Sequence, residues 1–328
     1  MLQKAFHWKR HPTAKGARME HYKKLMLGSN ERRGFLMGVV VYTLLISIAF
    51  IFLYPVLYML STSLMPKEDL LDASAKWIPS VLYAKNYSDA ILTMDYWNSL
   101  FKNLLIAALP TLCQVFICSL VGYGFARYNF PLKKLWMGLL LLSFLLPPQV
   151  TMMPTYVLFD RLKLTGTLTA FILPAALGQG FKSALFVLIF YNFHRQVPSS
   201  LTEAAEIDGV GPFGAYFRIA VPLSFAAVIV VALFSFVWYW NETYLTNLYL
   251  GYANTRLGGN LTTLMLELQR FQNSYEAVYS AWQASPNRLN DAIRMAGTML
   301  AIAPLLILYF VLQKQFVESV DKSGITGE

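Results

Sequence analysis

Long apolar runs without an ionisable side chain alternate along this chain with shorter polar segments. Six runs approach or exceed the ~20 residues that a helix needs to cross ~30 Å of hydrocarbon. They are Phe35 to Leu60, Asn103 to Ala126, Leu135 to Phe159, Leu168 to Phe193 (interrupted only by Lys182), Ile219 to Trp240, and Met295 to Gln313. The pattern predicts an all-α membrane protein with six transmembrane helices. The first run is too long for the core of a cleaved leader and follows a polar, basic stretch, so it is expected to stay in the mature protein.

Composition agrees with the pattern: 56% of residues are hydrophobic and only 14% charged, proportions foreign to a soluble globular domain. Charge sets the orientation. With the N-terminus inside, sixteen of the 27 Lys and Arg fall in inner segments, nine of them before Phe35, and nine fall outside. Because Lys and Arg favour cytoplasmic loops, both termini are expected in the cytoplasm. The net charge of +9 therefore reads as a topology signal and contact with anionic lipid, and no nucleic acid is expected as a partner. The two cysteines, Cys113 and Cys118, stand about 140° apart around one predicted helix, which suits neither a disulfide nor a metal pair.

Catalytic chemistry is hard to find. The sequence has no G-x-x-x-x-G-K-[ST] loop to cradle ATP phosphates. His7, His11, His21 and His194 all lie outside the apolar runs, and no run holds a pair of carboxylates. An intramembrane protease or metalloenzyme needs such groups at depth. No catalytic residue, no metal site and no cofactor bound by this chain is expected.

The segment between the fourth and fifth runs is more informative. Ser200-Leu201-Thr202-Glu203 has the form of a capping box, in which the serine caps a helix start and the glutamate reaches back. Ala204 and Ala205 favour helix with little bulk, Gly209 suits a left-handed C-terminal cap, and Gly211-Pro212 breaks the chain before re-entry. A short cytoplasmic helix is expected at 199–212. It serves either as a docking surface or simply as packing beneath its own bundle, with Glu203 a cap.

Glu203-Ala204-Ala205, three residues, Gly209, nine residues, Ile219, then Val221-Pro222 resembles the EAA motif of permease subunits of bacterial binding-protein-dependent ABC importers; Val221 stands where leucine is usual. Gly122-Tyr123-Gly124-Phe125-Ala126-Arg127, Leu146-Pro147-Pro148-Gln149-Val150 with Pro154, and Trp240-Asn241-Glu242 are similar to segments of the MalG-like carbohydrate branch. The resemblance implies the type I ABC importer permease fold in a bacterial cytoplasmic (inner) membrane. It implies a basic cytoplasmic tail over 1–34, a permease domain over 35–317 and a C-terminal tail over 318–328. The coupling helix would dock on an ATPase through Glu203, Ala204, Ala205 and Asp208, with Gly209 making the turn. Implied partners are a second, MalF-like permease subunit, two copies of a cytoplasmic ATPase carrying ATP and Mg, and an extracellular sugar-binding protein. Function would be carbohydrate import by alternating access.

Substrate contacts are sought among polar, aromatic and proline-broken positions within the runs, since such groups persist at membrane depth only against protein or water. These are Gln149, Met152 and Tyr156 in the third, Gln179 and Lys182 in the fourth, and Trp238, Trp240 and Asn241 at the end of the fifth. If Lys182 faces the pathway, an acidic sugar is favoured. The outer loop 242–294 carries a stripe of Leu264, Leu268, Phe271, Tyr275, Val278 and Trp282, one face of an amphipathic helix that packs on the permease or meets the binding protein. An amino-acid or other small-solute ABC importer, a secondary transporter and a membrane sensor are the alternatives.

Overall fold

A computed structural model of the protein describes residues 28–29, 32–33, 35–72, 77–251, 261–280 and 289–324. Most of the basic tail 1–34, residues 252–260 of the predicted outer loop, Trp282 and the last four residues lie outside them. Contacts divide the chain into two units, Met1–Ser61 and Thr62–Glu328. In the first unit a small antiparallel ribbon pairs β1 (Gly28–Ser29) with β2 (Arg32–Arg33), followed by α1 (Phe35–Ser63). That helix carries no charged residue, and it continues through Pro55.

The second unit is all helix: α2 (Lys85–Thr93), α3 (Tyr96–Arg127), α4 (Lys133–Leu145), α5 (Pro148–Arg161), α6 (Thr169–Ala176), α7 (Ser183–Gln196), α8 (Ser199–Ile207), α9 (Pro212–Leu223), α10 (Phe225–Asn241), α11 (Leu264–Gln269), α12 (Phe271–Ser280) and α13 (Asp291–Gly324). Its centre is α3, against which α6, α7 and α10 pack, while α13 rests on α2 and α10. The buried residues of α3 include Ser99, Asn103, Ala107, Thr111, Gln114, Cys118 and Gly122, flanked by Ile106, Pro110, Ser119 and Tyr123. The first seven recur every three or four positions, so one side of the helix presents a small and polar seam to its neighbours. At Gly122 the backbones come so close that a Cβ would stand 2.7 Å from the Phe190 Cβ and 2.9 Å from the Tyr191 nitrogen.

The six predicted runs are not all continuous helices. Among the described residues α1, α3 and α13 are long and apolar enough to cross a membrane uninterrupted, and up to five crossings result if two bent pairs each count as one. Pro147 and Pro148 turn the third run into α4 and α5, bent by 96°. The fifth run begins earlier, at Pro212, and bends by 79° at Ser224. The fourth run divides into helices of 8 and 14 residues around Gly178 and Lys182, whose φ values are 72° and 56°, and neither is long enough to cross alone.

At the end of the unit where α3 and α13 begin, α2 and α11 pack on both helices and α12 packs on α2. The predicted amphipathic helix is two helices broken at Arg270, and Leu264, Phe271 and Tyr275 are buried with Met94, Ile293 and Ala296 in one apolar core. The stripe therefore packs on this chain. The Tyr279 hydroxyl donates to Asp89 Oδ1 at 3.0 Å, tying α12 to α2, and burial together with that carboxylate raises the phenol well above its usual range. Asn86 donates from Nδ2 to the carbonyls of Ser63 and Met65, at 3.0 and 2.8 Å, which fixes α2 against the chain entering the unit.

Gly122→Ala is expected to lower the Tm of the detergent-solubilised protein, because overpacking a close helix contact costs about 1–3 kcal/mol. Gly124→Ala, two residues on, where nothing lies within 4 Å, is expected to leave it unchanged or slightly raised, as read by thermal unfolding.

Candidate functional site

The solvent-side helix α8 begins without the predicted capping box. Pro198 takes the N-cap position at φ −58° and ψ 134°, so Ser199 and Ser200 fall inside the helix and no side chain caps its start. Proline's fixed φ and the Val197-Pro198 step already end α7 and set the new direction. Glu203 is thus not engaged as a cap, and its carboxylate is exposed. The C-terminal end is closed by a full Schellman motif: the Val210 N–H donates to the Ala205 carbonyl at 2.9 Å, the Gly209 N–H to Glu206 at 3.0 Å, and Gly209 sits at φ 77°.

Thr202 and Ala205 face the chain's own interior, whereas Glu203, Ala204, Glu206, Ile207 and Asp208 are exposed. Ala205, grouped with the docking residues by sequence, is thus turned inward. The helix offers three carboxylates beside Leu201, Ile207 and, after the turn, Phe213, which are 45%, 87% and 67% exposed. These apolar residues escaped the sequence reading. Their signal was apolar side chains in a segment otherwise assigned to water.

Both ends of this segment are held by α3. Arg127 donates from Nη2 to the Val197 carbonyl, immediately before α8. On the return side Tyr216 is buried against Tyr123, ring centroids 5.1 Å apart, in the π-helical turn Tyr216–Ala220 of α9. Between them lies His194 of α7, fully buried, its Nε2 3.3 Å from Ser119 Oγ and its Nδ1 3.1 Å from Ser224 Oγ.

The break in the fourth run is held by a second polar cluster. Gln114 of α3 is 0% exposed; its Nε2 donates to the Phe181 carbonyl and to Ser183 Oγ at 2.8 Å, and its Oε1 accepts from Ser235 Oγ of α10 at 2.8 Å. Thr111 adds a 3.2 Å bond to Ser235, and the Phe181 N–H donates to the Tyr239 hydroxyl at 3.3 Å. At Gly180 a Cβ would lie 2.6 Å from that hydroxyl. The irregular backbone from 177 to 182 is therefore pinned from two helices.

Gln179 and Lys182 stand exposed on this break. Gln179 joins Phe125, Phe130, Trp136, Leu139, Leu140 and Ser143 around an open recess of about 440 Å³. Gln149 is exposed at the α4–α5 bend, while Met152 and Tyr156 are half-buried on α5, Tyr156 against the core. The structure does not bring these three into the recess. Trp240 is 1% exposed, stacked on Phe236 with its indole N–H donating to the Ala301 carbonyl at 3.4 Å, so it is a packing residue and not a lining one. Trp238 stacks on Phe186 at 5.4 Å, and Asn241 donates to the Val237 carbonyl of its own helix. Pro147 and Pro148 lack N–H groups, so the carbonyls of Ser143 and Phe144 have no helical donor, and every residue from 141 to 150 is exposed.

The family profile described as "Binding-protein-dependent transport system inner membrane component" matches residues 118–322. The chain is 27% identical over 292 residues to the polygalacturonan/rhamnogalacturonan transport system permease protein of Bacillus subtilis, covering 89% of this chain and 99% of the relative. It is 27% identical over 283 residues to the arabinooligosaccharides transport system permease protein of Halalkalibacterium halodurans, covering 85% and 93%. Among solved structures, a chain of a bacterial ABC transporter involved in the import of the acidic polysaccharide alginate superposes with a TM-score of 0.73 at 18% identity, covering 86% of this chain and 96% of the other. That likeness establishes the fold.

Gln114→Leu, close in size but unable to bond, is expected to strand the hydroxyls of Ser183 and Ser235 and lower Tm by several degrees, since each buried polar group left unpaired costs about 1–3 kcal/mol. Gln149→Leu, at an exposed position, is expected to leave Tm unchanged in the same melt.

Proposed function

The chain belongs to the family of inner membrane components of binding-protein-dependent transport systems, and from that premise we propose that it is a permease subunit of an ATP-driven carbohydrate importer. The observation that carries the reading is α8, a short helix stopped sharply at Gly209 that turns Glu203, Glu206, Asp208 and Ile207 to solvent between two membrane segments. A loop that merely joined spans would have no use for an exposed isoleucine among carboxylates. This surface suits a groove with basic and apolar lining on a cytoplasmic ATPase. ATP and Mg belong to that partner, two copies of which would serve this chain and a second, MalF-like permease.

On this reading the permease domain is 35–317, with tails 1–34 and 318–328 in the cytoplasm and the outer loop 242–294 on the far side of a bacterial cytoplasmic membrane. The fourth run crosses as a broken helix, which makes six crossings. Carbonyls at the α4–α5 bend are tolerated at depth only against protein or water, which supports placing Gln149 on the pathway between two permease halves. Met152, Tyr156, Trp238 and Asn241 remain further pathway positions. Carbohydrate is favoured by the substrates in the relatives' names and by the recess itself, where the Gln179 amide stands with Trp136, Phe125 and Phe130. Aromatic faces and amides together are what sugar rings and hydroxyls require. A binding protein would deliver the sugar, and alternating access would release it inside.

Two experiments test this. Purified with its neighbouring genes, the native chain is expected to bring down a nucleotide-hydrolysing subunit, and Glu203→Lys with Gly209→Pro is expected to lose it while remaining folded; absence of any ATPase from a well-behaved native chain overturns the reading. For the substrate, Lys182→Met is expected to reduce uptake of an acidic oligosaccharide such as oligogalacturonate and to spare a neutral one. Equal uptake of both by the variant removes the case for an acidic sugar.

A further inference from the structure

We propose that His194 is the positioning residue through which movement of α8 reaches α3, and through α3 the break at 177–182; the inference rests on the coupling role proposed for α8. The imidazole joins three elements at one point. It sits on α7, two residues before the Gln196 end of the helix that leads into α8, and its two nitrogens meet Ser119 on α3 and Ser224 at the start of α10, where the chain returns from the cytoplasmic segment. Rings fix it on its remaining sides: Phe190 stacks at 5.9 Å, Tyr123 stands edge-on at 5.5 Å and Tyr216 at 6.2 Å.

A phenylalanine would fill this 0% exposed site at no cost in desolvation. A histidine is tolerated here only because both ring nitrogens find hydroxyls, and those hydroxyls come from two different helices. Its bonds therefore add directional links where apolar packing would permit slippage. The partners on α3 are in register as well. Ser119, Tyr123 and Arg127 are spaced by four residues, so one stripe of α3 touches His194 and the Val197 carbonyl on the entry side and Tyr216 on the return side. Five residues from Ser119 on the same helix, Gln114 holds Phe181 and Ser183. A displacement of α8 applied at both ends of its segment is thus delivered to one helix, and that helix grips the break at the Phe181 carbonyl and Ser183, on either side of the exposed Lys182.

The test uses the assembled importer with a reporter cysteine, Gln179→Cys, in a Cys113→Ala background. Labelling by a membrane-impermeant maleimide is read with and without ATP and orthovanadate, which traps the ATPase closed. With His194 present, trapping is expected to change the labelling rate by about fivefold or more, the lower end of typical allosteric coupling. His194→Phe is expected to abolish that response while the ATPase still co-purifies and hydrolyses ATP. His194→Gln, which can pair with both serines, is expected to restore it. A residue needed only for folding would lower the yield of complex and leave the response of assembled complex intact. Ser119→Ala with Ser224→Ala removes the same bonds without touching the ring, and provides the test if His194→Phe does not assemble. A native response in either variant overturns the relay. A native complex that holds its ATPase but shows no trapping response also overturns it, whereas failure of the native chain to hold an ATPase overturns the coupling role first.

Discussion

Helices in a bilayer gain nothing from hiding apolar surface from lipid, so what holds them together must be close backbone approach and bonds between polar side chains. Here that constraint falls on α3. Its seam of Ser99, Asn103, Thr111, Gln114 and Gly122 faces neighbours, while Leu104, Leu112 and Phe116 of the same helix point away and are exposed. Gln114 alone joins three parts of the fold, and Gly122 allows α7 to lie against α3 at backbone distance. Apolar side chains fill the spaces between these contacts, but they do not choose the register.

The same helix explains how two distant regions can belong to one device. The break at 177–182 and the segment carrying α8 are separated in sequence, yet both are fastened to α3, one through Gln114 and the other through Ser119, Tyr123 and Arg127. Both fastenings are made by side chains of α3, in part to backbone carbonyls that lie outside helices, those of Phe181 and Val197. On the proposed reading, a permease half whose cytoplasmic end is pushed by an ATPase needs a member stiff enough to carry the push, and a helix of 32 residues bonded along its length is such a member.

Legibility from sequence divided along physical lines. Apolar runs disclosed where helices lie, because membrane depth demands length and hydropathy, and the spacing from Glu203 to Pro222 disclosed the family. Breaks were less visible. Pro147-Pro148 announced one, but the division of the fourth run rests on left-handed backbone at Lys182 and on hydrogen bonds from Gln114, a residue 68 positions earlier that local pattern does not mark. Trp240 looked like a lining residue because tryptophan at a span end is ambiguous between interface, pathway and core, and only packing against Phe236 and α13 decides. Ser200 failed as a cap because Pro198 had already set the helix start. His194 was passed over for a related reason: it is polar and lies just beyond an apolar run, and nothing local reveals that two serines and three aromatic rings enclose it.

The bend between α4 and α5 has a consequence for the lipid around the protein. With 13 and 14 residues, each arm is only about 20 Å long at ~1.5 Å per residue, short of the ~30 Å of a typical hydrocarbon core. An angle of 96° prevents the arms from adding their lengths along one axis. On the proposed reading neither arm alone matches an ordinary bilayer, so acyl chains along this flank would thin locally or be replaced by another subunit. Wherever the flank is not covered by protein, membranes of shorter-chain lipid should suit this molecule better than thick ones.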